Sequence, residues 1–232
     1  MKALCLDLDE TLFDHRHACR MGISHLWDTY EELQVKSVEQ LEQEFWVMLD
    51  RMYHEVLAGR MTAEASRLER IRTLYAGCGL LVAETELLAS VERYGQLYRQ
   101  HRRAMPGALE LLTNARERGC QIAVLTNGLT AVQRDKLDAC GLTVHVDHLI
   151  TSQDAGVKKP DARLFEQALT RLGITPSDTV MIGDSWDADI VGAQGLGMRA
   201  IWLNRGRINC PDPQQATEVQ SLHEVPALLG WT

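Results

Sequence analysis

The sequence contains no C-x-x-C pair, no surplus of basic residues, no internal repeat and no apolar run long enough to cross a bilayer. Each absence removes a class of protein. The six cysteines (Cys5, Cys19, Cys78, Cys120, Cys140 and Cys210) are scattered, and Cys5, Cys120 and Cys140 lie in apolar segments where a free thiol packs as a small hydrophobe. That usage reads as a reduced, cytoplasmic protein rather than a disulfide scaffold. A net charge of -8 speaks against broad binding of a nucleic acid polymer or an anionic membrane, since both need a basic surface. It leaves room for a local basic pocket that takes a small anion. No stretch approaches the roughly 20 apolar residues of a membrane span. The opening "KALCLDL" is too short and acidic to read as a signal peptide.

What is present is ordinary globular material. The chain has 232 residues, 45% hydrophobic and 24% charged, enough for one large domain or a domain carrying an insertion. Residues 3–8 read as a short buried strand. Residues 15 to about 100 show helical spacing and no convincing strand. In "SVEQLEQEFWVMLDRMYHEVLAG", Leu41, Phe45, Met48, Leu49 and Met52 form an apolar stripe that reads as core. Thr62 is a candidate N-cap for the helix that follows.

From Met105 the texture alternates. "PGALELLTNARERG", "TAVQRDKLDACG", "DARLFEQALTRLG" and "DADIVGAQGLG" read as helices. "CQIAVLTN", "VDHLITS", "DTVMIGDS" and "MRAIWLN" read as strands. The tail "PDPQQATEVQSLHEVPALLGWT" reads as loop, short strand and final helix. Strands alternating with helices predict a parallel sheet. The expected fold is α/β, a Rossmann-like doubly wound parallel sheet, with residues 1–14 and 101–232 forming a discontinuous core. Residues 15–100 are expected to form an all-helical inserted domain.

In such sheets ligands bind beyond the carboxyl ends of the strands, and the polar residues gather there. The first strand ends in Asp7-Leu8-Asp9, two like charges whose burial and repulsion need compensation. The second ends in Thr126-Asn127-Gly128. "SQDAGVKKP" with Lys158 and Lys159 follows the third, and "GDSWDAD" with Asp184, Asp187 and Asp189 the fourth. An oxygen-only cluster suits Mg²⁺, which takes one or two carboxylates and keeps places for phosphate oxygens. One carboxylate can then act as nucleophile while a neighbour moves a proton. Together with Thr126 and a lysine this is a set for phosphoryl transfer.

Four stretches in order, "DLDET", "LTNG", "GVKKP" and "GDSWDAD", resemble the motifs of the haloacid dehalogenase superfamily. The resemblance implies a Mg²⁺-dependent phosphomonoester hydrolase. Asp7 would be the nucleophile and a metal ligand. Asp9 would be the general acid/base, with its backbone carbonyl on the metal. Thr126, with Asn127 beside it, would hold the phosphoryl group. Lys159 would pair with Asp7 and the phosphate, Asp184 would ligate the metal and Asp189 would support it. The helical insertion resembles the family's type-one cap. Dehalogenases of the family lack the second aspartate, because a departing halide needs no proton; Asp9 therefore favours a phosphatase. "LTNGLTAVQRDKLDACGL", "AIWLNRGR" and "SLHEV" are similar to the bacterial nucleoside 5'-monophosphate phosphatases, the pyrimidine nucleotidases. FMN, sugar phosphates, phosphoglycolate and acylneuraminate 9-phosphate are substrates of related branches. A phosphomutase and a non-catalytic binder on the same scaffold are further alternatives. The implied partner is a small phosphomonoester, and both monomer and homodimer stay open.

The residues also admit plainer readings. Asp7-x-Asp9 alone could be a turn or an N-cap, but not an EF-hand, since Leu12 and Ala18 occupy its glycine and glutamate positions. Asp187 reads as a helix N-cap, and Asp189 alone as a first-turn acid. Pro160 favours Lys159 over Lys158. "GAQGLG" has the wrong order for a dinucleotide fingerprint and reads as packing and a turn. His15, His17 and Cys19 lack partners with zinc spacing. Arg67, Arg70 and Arg72 read as a solvated face, from which one could reach a substrate group, and Trp186 either packs or touches substrate.

Overall fold

The computed structural model describes residues 1–213 and 217–231; nothing is drawn from the side chains of His54 and Leu57. The chain divides into two compact units, Met1–Asp14 with Arg103–Thr232, and His15–Arg102.

The first unit is built on six parallel strands: β1 (Ala3–Leu6), β2 (Gln121–Thr126), β3 (His148–Thr151), β4 (Thr179–Gly183), β5 (Arg199–Leu203) and β6 (Thr217–Val219). Their order is β3-β2-β1-β4-β5-β6. This is the doubly wound order, whose direction reverses between β1 and β4 and opens a crevice at their carboxyl ends. The strands read as unbroken apolar runs because both faces are covered. Ala3, Cys5, Ala123, Leu125, Ile150 and Met181 pack with the Ala162–Leu172 helix, whose buried residues Leu164, Phe165, Ala168, Leu169 and Leu172 keep the helical period. Asp161 caps that helix by accepting from the Arg163 N–H, and Gly173 ends it at φ 65°. Of the "GAQGLG" glycines, Gly192 serves packing and Gly197 a turn at φ 77°. A Cβ on Gly192 would lie 2.7 Å from the Phe165 ring.

One expected helix differs. "DADIVGAQGLG" begins as a π-helical turn, Trp186–Val191, and continues only through Gly192–Gln194. Its N-cap is Ser185, whose hydroxyl accepts from the Ala188 N–H, and not Asp187, which is exposed.

The second unit contains α1 (His15–Thr29), α2 (Val38–Leu57), α3 (Ala63–Gly77) and α4 (Glu84–Gln100). Thr62 caps α3, its hydroxyl accepting from the Ala65 N–H. Leu41, Phe45 and Met48 of the apolar stripe are buried in a core shared by all four helices. Arg70 departs from the expected solvated face. It is 7% exposed, with its guanidinium 4.4 Å from the Phe45 ring centroid and Nε donating to the Ser66 carbonyl. Ser66, Arg70 and Leu74 lie one turn apart on the inward stripe of α3, so the arginine stem packs while its head stacks on a ring. Arg72 is exposed and pairs with Glu69 and Glu84. His15 pairs through Nδ1 with the Tyr98 hydroxyl at 2.8 Å. Among the described residues no helix is long and apolar enough to cross a membrane.

Candidate active site

Register places the acidic residues. Leu6 pairs with Ile182, and the ladder runs one step further as the Asp7 N–H donates to the Ile182 carbonyl at 2.9 Å. Asp7 and Asp184 thus leave adjacent strands at the crevice. Beyond Asp7 the chain folds back. The Leu8 carbonyl accepts from the N–H groups of Thr11, Leu12 and Phe13, and Glu10 takes φ 65°. That tight return holds Asp9 beside β2 instead of extending the strand.

Two linked groups of side chains result. In the first, Lys159 Nζ donates to Asp7 Oδ1 at 2.5 Å, Asp189 Oδ1 at 2.6 Å and the Leu125 carbonyl at 2.7 Å. Lys159 is 3% exposed and Asp189 fully buried. The second carboxylate oxygen of Asp189 accepts from the Ser185 N–H at 3.0 Å. Gly183 makes this possible, because a Cβ there would overlap the Asp189 carboxylate. Asp184 faces Asp7 and Asp189, and the three offer carboxylate oxygens within 4.8 Å of one another. The Trp202 indole N–H fixes the Asp184 backbone carbonyl at 2.8 Å, and Trp186 packs edge-on against Trp202 with centroids 5.2 Å apart.

In the second group, Thr126 lies at the end of β2 and is 1% exposed. Gln133 Nε2 donates to Thr126 Oγ1 at 2.5 Å and to Asp9 Oδ2 at 3.0 Å. Lys136 Nζ contacts both Asp9 oxygens, at 2.6 and 2.8 Å. Asn127 has its side chain committed to the Lys159 backbone. Its Oδ1 accepts from the Lys159 N–H at 2.8 Å and its Nδ2 donates to the Lys159 carbonyl at 3.3 Å. The amide therefore steadies the lysine rather than pointing at an anion. Lys158 is exposed and stands outside this arrangement.

The electrostatics follow from burial. Burial, followed by the nearby Asp189 and Asp9, raises the Asp7 carboxyl to about 7 despite the opposing pull of Lys159. Burial and the neighbouring Asp7, Asp189 and Glu10 raise Asp184 to about 8. Burial works against the charge on Lys159, but Asp189 and Asp7 overcome it and hold the ammonium above its ordinary range.

A family model for hydrolases, described as haloacid dehalogenase-like hydrolase, matches residues 1–197. The chain belongs to the haloacid dehalogenase-like hydrolases. Curated relatives of this hydrolase carry phosphatase and nucleotidase names. It is 40% identical to phosphoserine phosphatase of Thermus thermophilus over 131 residues, 55% of this chain and 53% of that protein. It is 37% identical to pyrimidine 5'-nucleotidase YjjG of Escherichia coli over 127 residues, 54% of this chain and 56% of that protein. Those two matches span about half the length of each relative. It is 29% identical to ribulose-1,5-bisphosphate 5-phosphatase of Halopiger xanaduensis over 97% of this chain and 95% of that one.

The donor set of this hydrolase fits Mg²⁺. Three carboxylates face one ammonium, so when all three are ionised two negative charges remain in a buried, oxygen-only cluster. The Asp184 carboxylate has no hydrogen-bond donor among the described residues, while both Asp189 oxygens are engaged by Lys159 and Ser185. Asp7 and Asp184 are thus better disposed to ligate directly than Asp189, whose oxygens already hold Lys159 and the turn. Among the described residues no comparable cluster forms around His15, His17 and Cys19. Gln133, Lys136 and Trp202 lie in none of the four motif stretches, although the nucleotidase-like stretches "LTNGLTAVQRDKLDACGL" and "AIWLNRGR" contain them, and nothing in those stretches singles them out. The first two lie on α5 (Thr130–Ala139), the helix expected at "TAVQRDKLDACG", and Trp202 lies in the strand expected at "MRAIWLN".

Proposed function

We propose that this hydrolase is a Mg²⁺-dependent phosphomonoesterase working through an aspartyl-phosphate, with nucleoside 5'-monophosphates as its substrates. The observation that carries the reading is the joined site in which Lys159 ties Asp7 to Asp189 while a second, partly exposed carboxylate, Asp9, is held beside Thr126. A binder needs no second carboxylate there, and a dehalogenase has no proton for it to deliver.

The chemistry divides into two displacements. An Asp7 oxygen attacks phosphorus in line, and the bond from phosphorus to the leaving oxygen breaks. The Asp9 carboxyl gives that oxygen its proton. Water then attacks the phosphorus of the acyl phosphate, Asp9 takes the water proton, and the Asp7 carboxylate and inorganic phosphate are released. Lys159 orients Asp7 and neutralises the transferring group, and the Thr126 hydroxyl donates to a phosphoryl oxygen. Asp7 and Asp184 would hold Mg²⁺ through carboxylates and Asp9 through its backbone carbonyl, with Asp189 behind them. The ion supplies a Lewis acid for phosphoryl oxygens and cancels the charge that repels an anionic ester.

The nucleotide preference is supported by "LTNGLTAVQRDKLDACGL" and by the likeness to a pyrimidine nucleotidase. The phosphoserine and ribulose-bisphosphate phosphatase relatives define the competing substrates. The test is phosphate release from a panel of nucleotides, sugar phosphates, phosphoserine and FMN with Mg²⁺, alongside EDTA and Asp7→Asn controls. The expected result is that nucleoside monophosphates lead by kcat/KM, and that Asp7→Asn loses more than about 10³-fold. Substantial activity in folded Asp7→Asn would overturn the mechanism. Another ester in the lead would overturn only the substrate assignment.

A further inference from the structure

Asp9 is the proton carrier of the proposed reaction, and two groups that hold it, Gln133 and Lys136, lie outside the four motif stretches. Lys136 and Gln133, one turn apart on the inner face of α5, are 5% and 1% exposed. Burying an ammonium and an amide costs stability unless each is fully paired, and both are paired to the same carboxylate. The orientation of the amide follows from the chemistry. A carboxylate only accepts, so Gln133 must present its NH₂ to Asp9. The same nitrogen donates to Thr126 Oγ1, so that oxygen is an acceptor here and its own proton is left to point elsewhere. Gln133 lies across Gly128, where a Cβ would meet its side chain at 2.7 Å. The Gly128 N–H is tied to Ser152 Oγ at 2.9 Å, which fixes the surface on which the amide rests. Asp9 keeps 29% of its side chain exposed.

We infer that Gln133 and Lys136 are positioning residues. They set the Asp9 carboxyl against the leaving oxygen and, through the same amide, commit the Thr126 hydroxyl proton to the phosphoryl group. The inference rests on the phosphomonoesterase reading and adds to it a device outside the four motifs. It couples phosphate binding to leaving-group protonation through one side chain. The bond changes are those given above; Lys136 and Gln133 exchange no proton and only orient the groups that do.

The consequence is selective for the leaving group. A p-nitrophenolate departs without a proton, whereas an alkoxide requires one. Lys136→Met should therefore lower kcat/KM for the best alkyl monoester of the panel by about 100-fold, and for p-nitrophenyl phosphate by about 3-fold. Gly128→Ala, which touches neither Asp9 nor Lys136, should displace Gln133 and lower the alkyl-to-aryl ratio in the same direction. Thermal melting of each variant confirms that folded protein is assayed. An equal loss on both esters, or none on either, would overturn the assignment of Lys136. A wild-type ratio in folded Gly128→Ala would overturn that of Gln133. If the wild-type protein releases phosphate from neither ester, the phosphomonoesterase reading fails and the inference fails with it. If it turns over both and only the ratio test fails, that reading stands alone.

Discussion

Asp7 and Asp189 share one buried ammonium beside Asp184, and the charge balance of the site turns on it. Replacing Lys159 by methionine leaves Asp7 and Asp189 buried without their common partner. Breaking a buried pair from one side costs about 3–5 kcal/mol, and the loss of charge beside the phosphoryl group should lower activity more than about 10²-fold. Urea denaturation at pH 7 should show the destabilisation. The deficit should shrink at pH 5, where Asp7, already raised to about 7, takes up a proton and removes part of the penalty. Equal stability of the two proteins at pH 7 would show that Lys159 does not balance the cluster. At this scale, residues that belong to local patterns are legible in the sequence: "DLDET", "GVKKP" and "GDSWDAD" each announce a charged group at a strand end. Gln133 and Lys136 are not legible, because their partner Asp9 lies more than 120 residues away. The use of Asn127 on the Lys159 backbone is hidden for the same reason. Only the fold tells an amide aimed at a ligand from one aimed at a neighbouring loop.

Elements show the same division between local signal and tertiary constraint. The five sheet strands with strong apolar runs are readable, as is the parallel order implied by the alternation with helices. The π-turn at Trp186–Val191 is not readable, because it depends on the Asp189 carboxylate folding back over Gly183 to the Ser185 N–H. In the helical unit, periodicity identifies the inward stripe of α2 but not the burial of Arg70, since arginine at a core position looks like surface until Phe45 is placed over it. Close packing in that unit makes one testable demand. Gly22 of α1 faces Tyr94 of α4, and a Cβ there would fall 2.5 Å from the ring. Tyr94 is 3% exposed and packs tilted against Phe45 with ring centroids 5.3 Å apart, so it has little room to yield. Gly22→Ala gains helix propensity of about 0.8–1.0 kcal/mol and loses about 1–3 kcal/mol to overpacking. Chemical denaturation should show net destabilisation. A stabilised variant would mean that the two helices part without cost.

For the whole molecule, the site ties stability to pH and to metal. Asp7 and Asp184 titrate near 3.8 when unfolded and at about 7 and about 8 when folded. The folded protein therefore binds more protons than the unfolded chain between these limits, and its stability falls as pH rises through them. Their contribution is complete below about pH 4 and is lost as pH rises through about 7 and about 8, above which both carboxylates are ionised in the folded state. The exposed ion-paired carboxylates behave oppositely. Asp161 is lowered to about 2, so its change is over before this window opens. Mg²⁺ reverses the slope, because it binds the ionised carboxylates, releases protons and stabilises only the folded chain. The Tm in EDTA should fall from pH 5 to pH 8.5, the Tm in millimolar Mg²⁺ should fall less, and the gap between them should widen with pH. Titration calorimetry at pH 6.5 in two buffers of different ionisation enthalpy should show proton release on binding. A gap that is constant with pH would mean that the ion does not compete with protons for Asp7 and Asp184. Asp184→Asn should narrow the gap, because it removes both a ligand oxygen and one of the two raised carboxyls. A variant that kept the wild-type gap would place the ion elsewhere on the molecule.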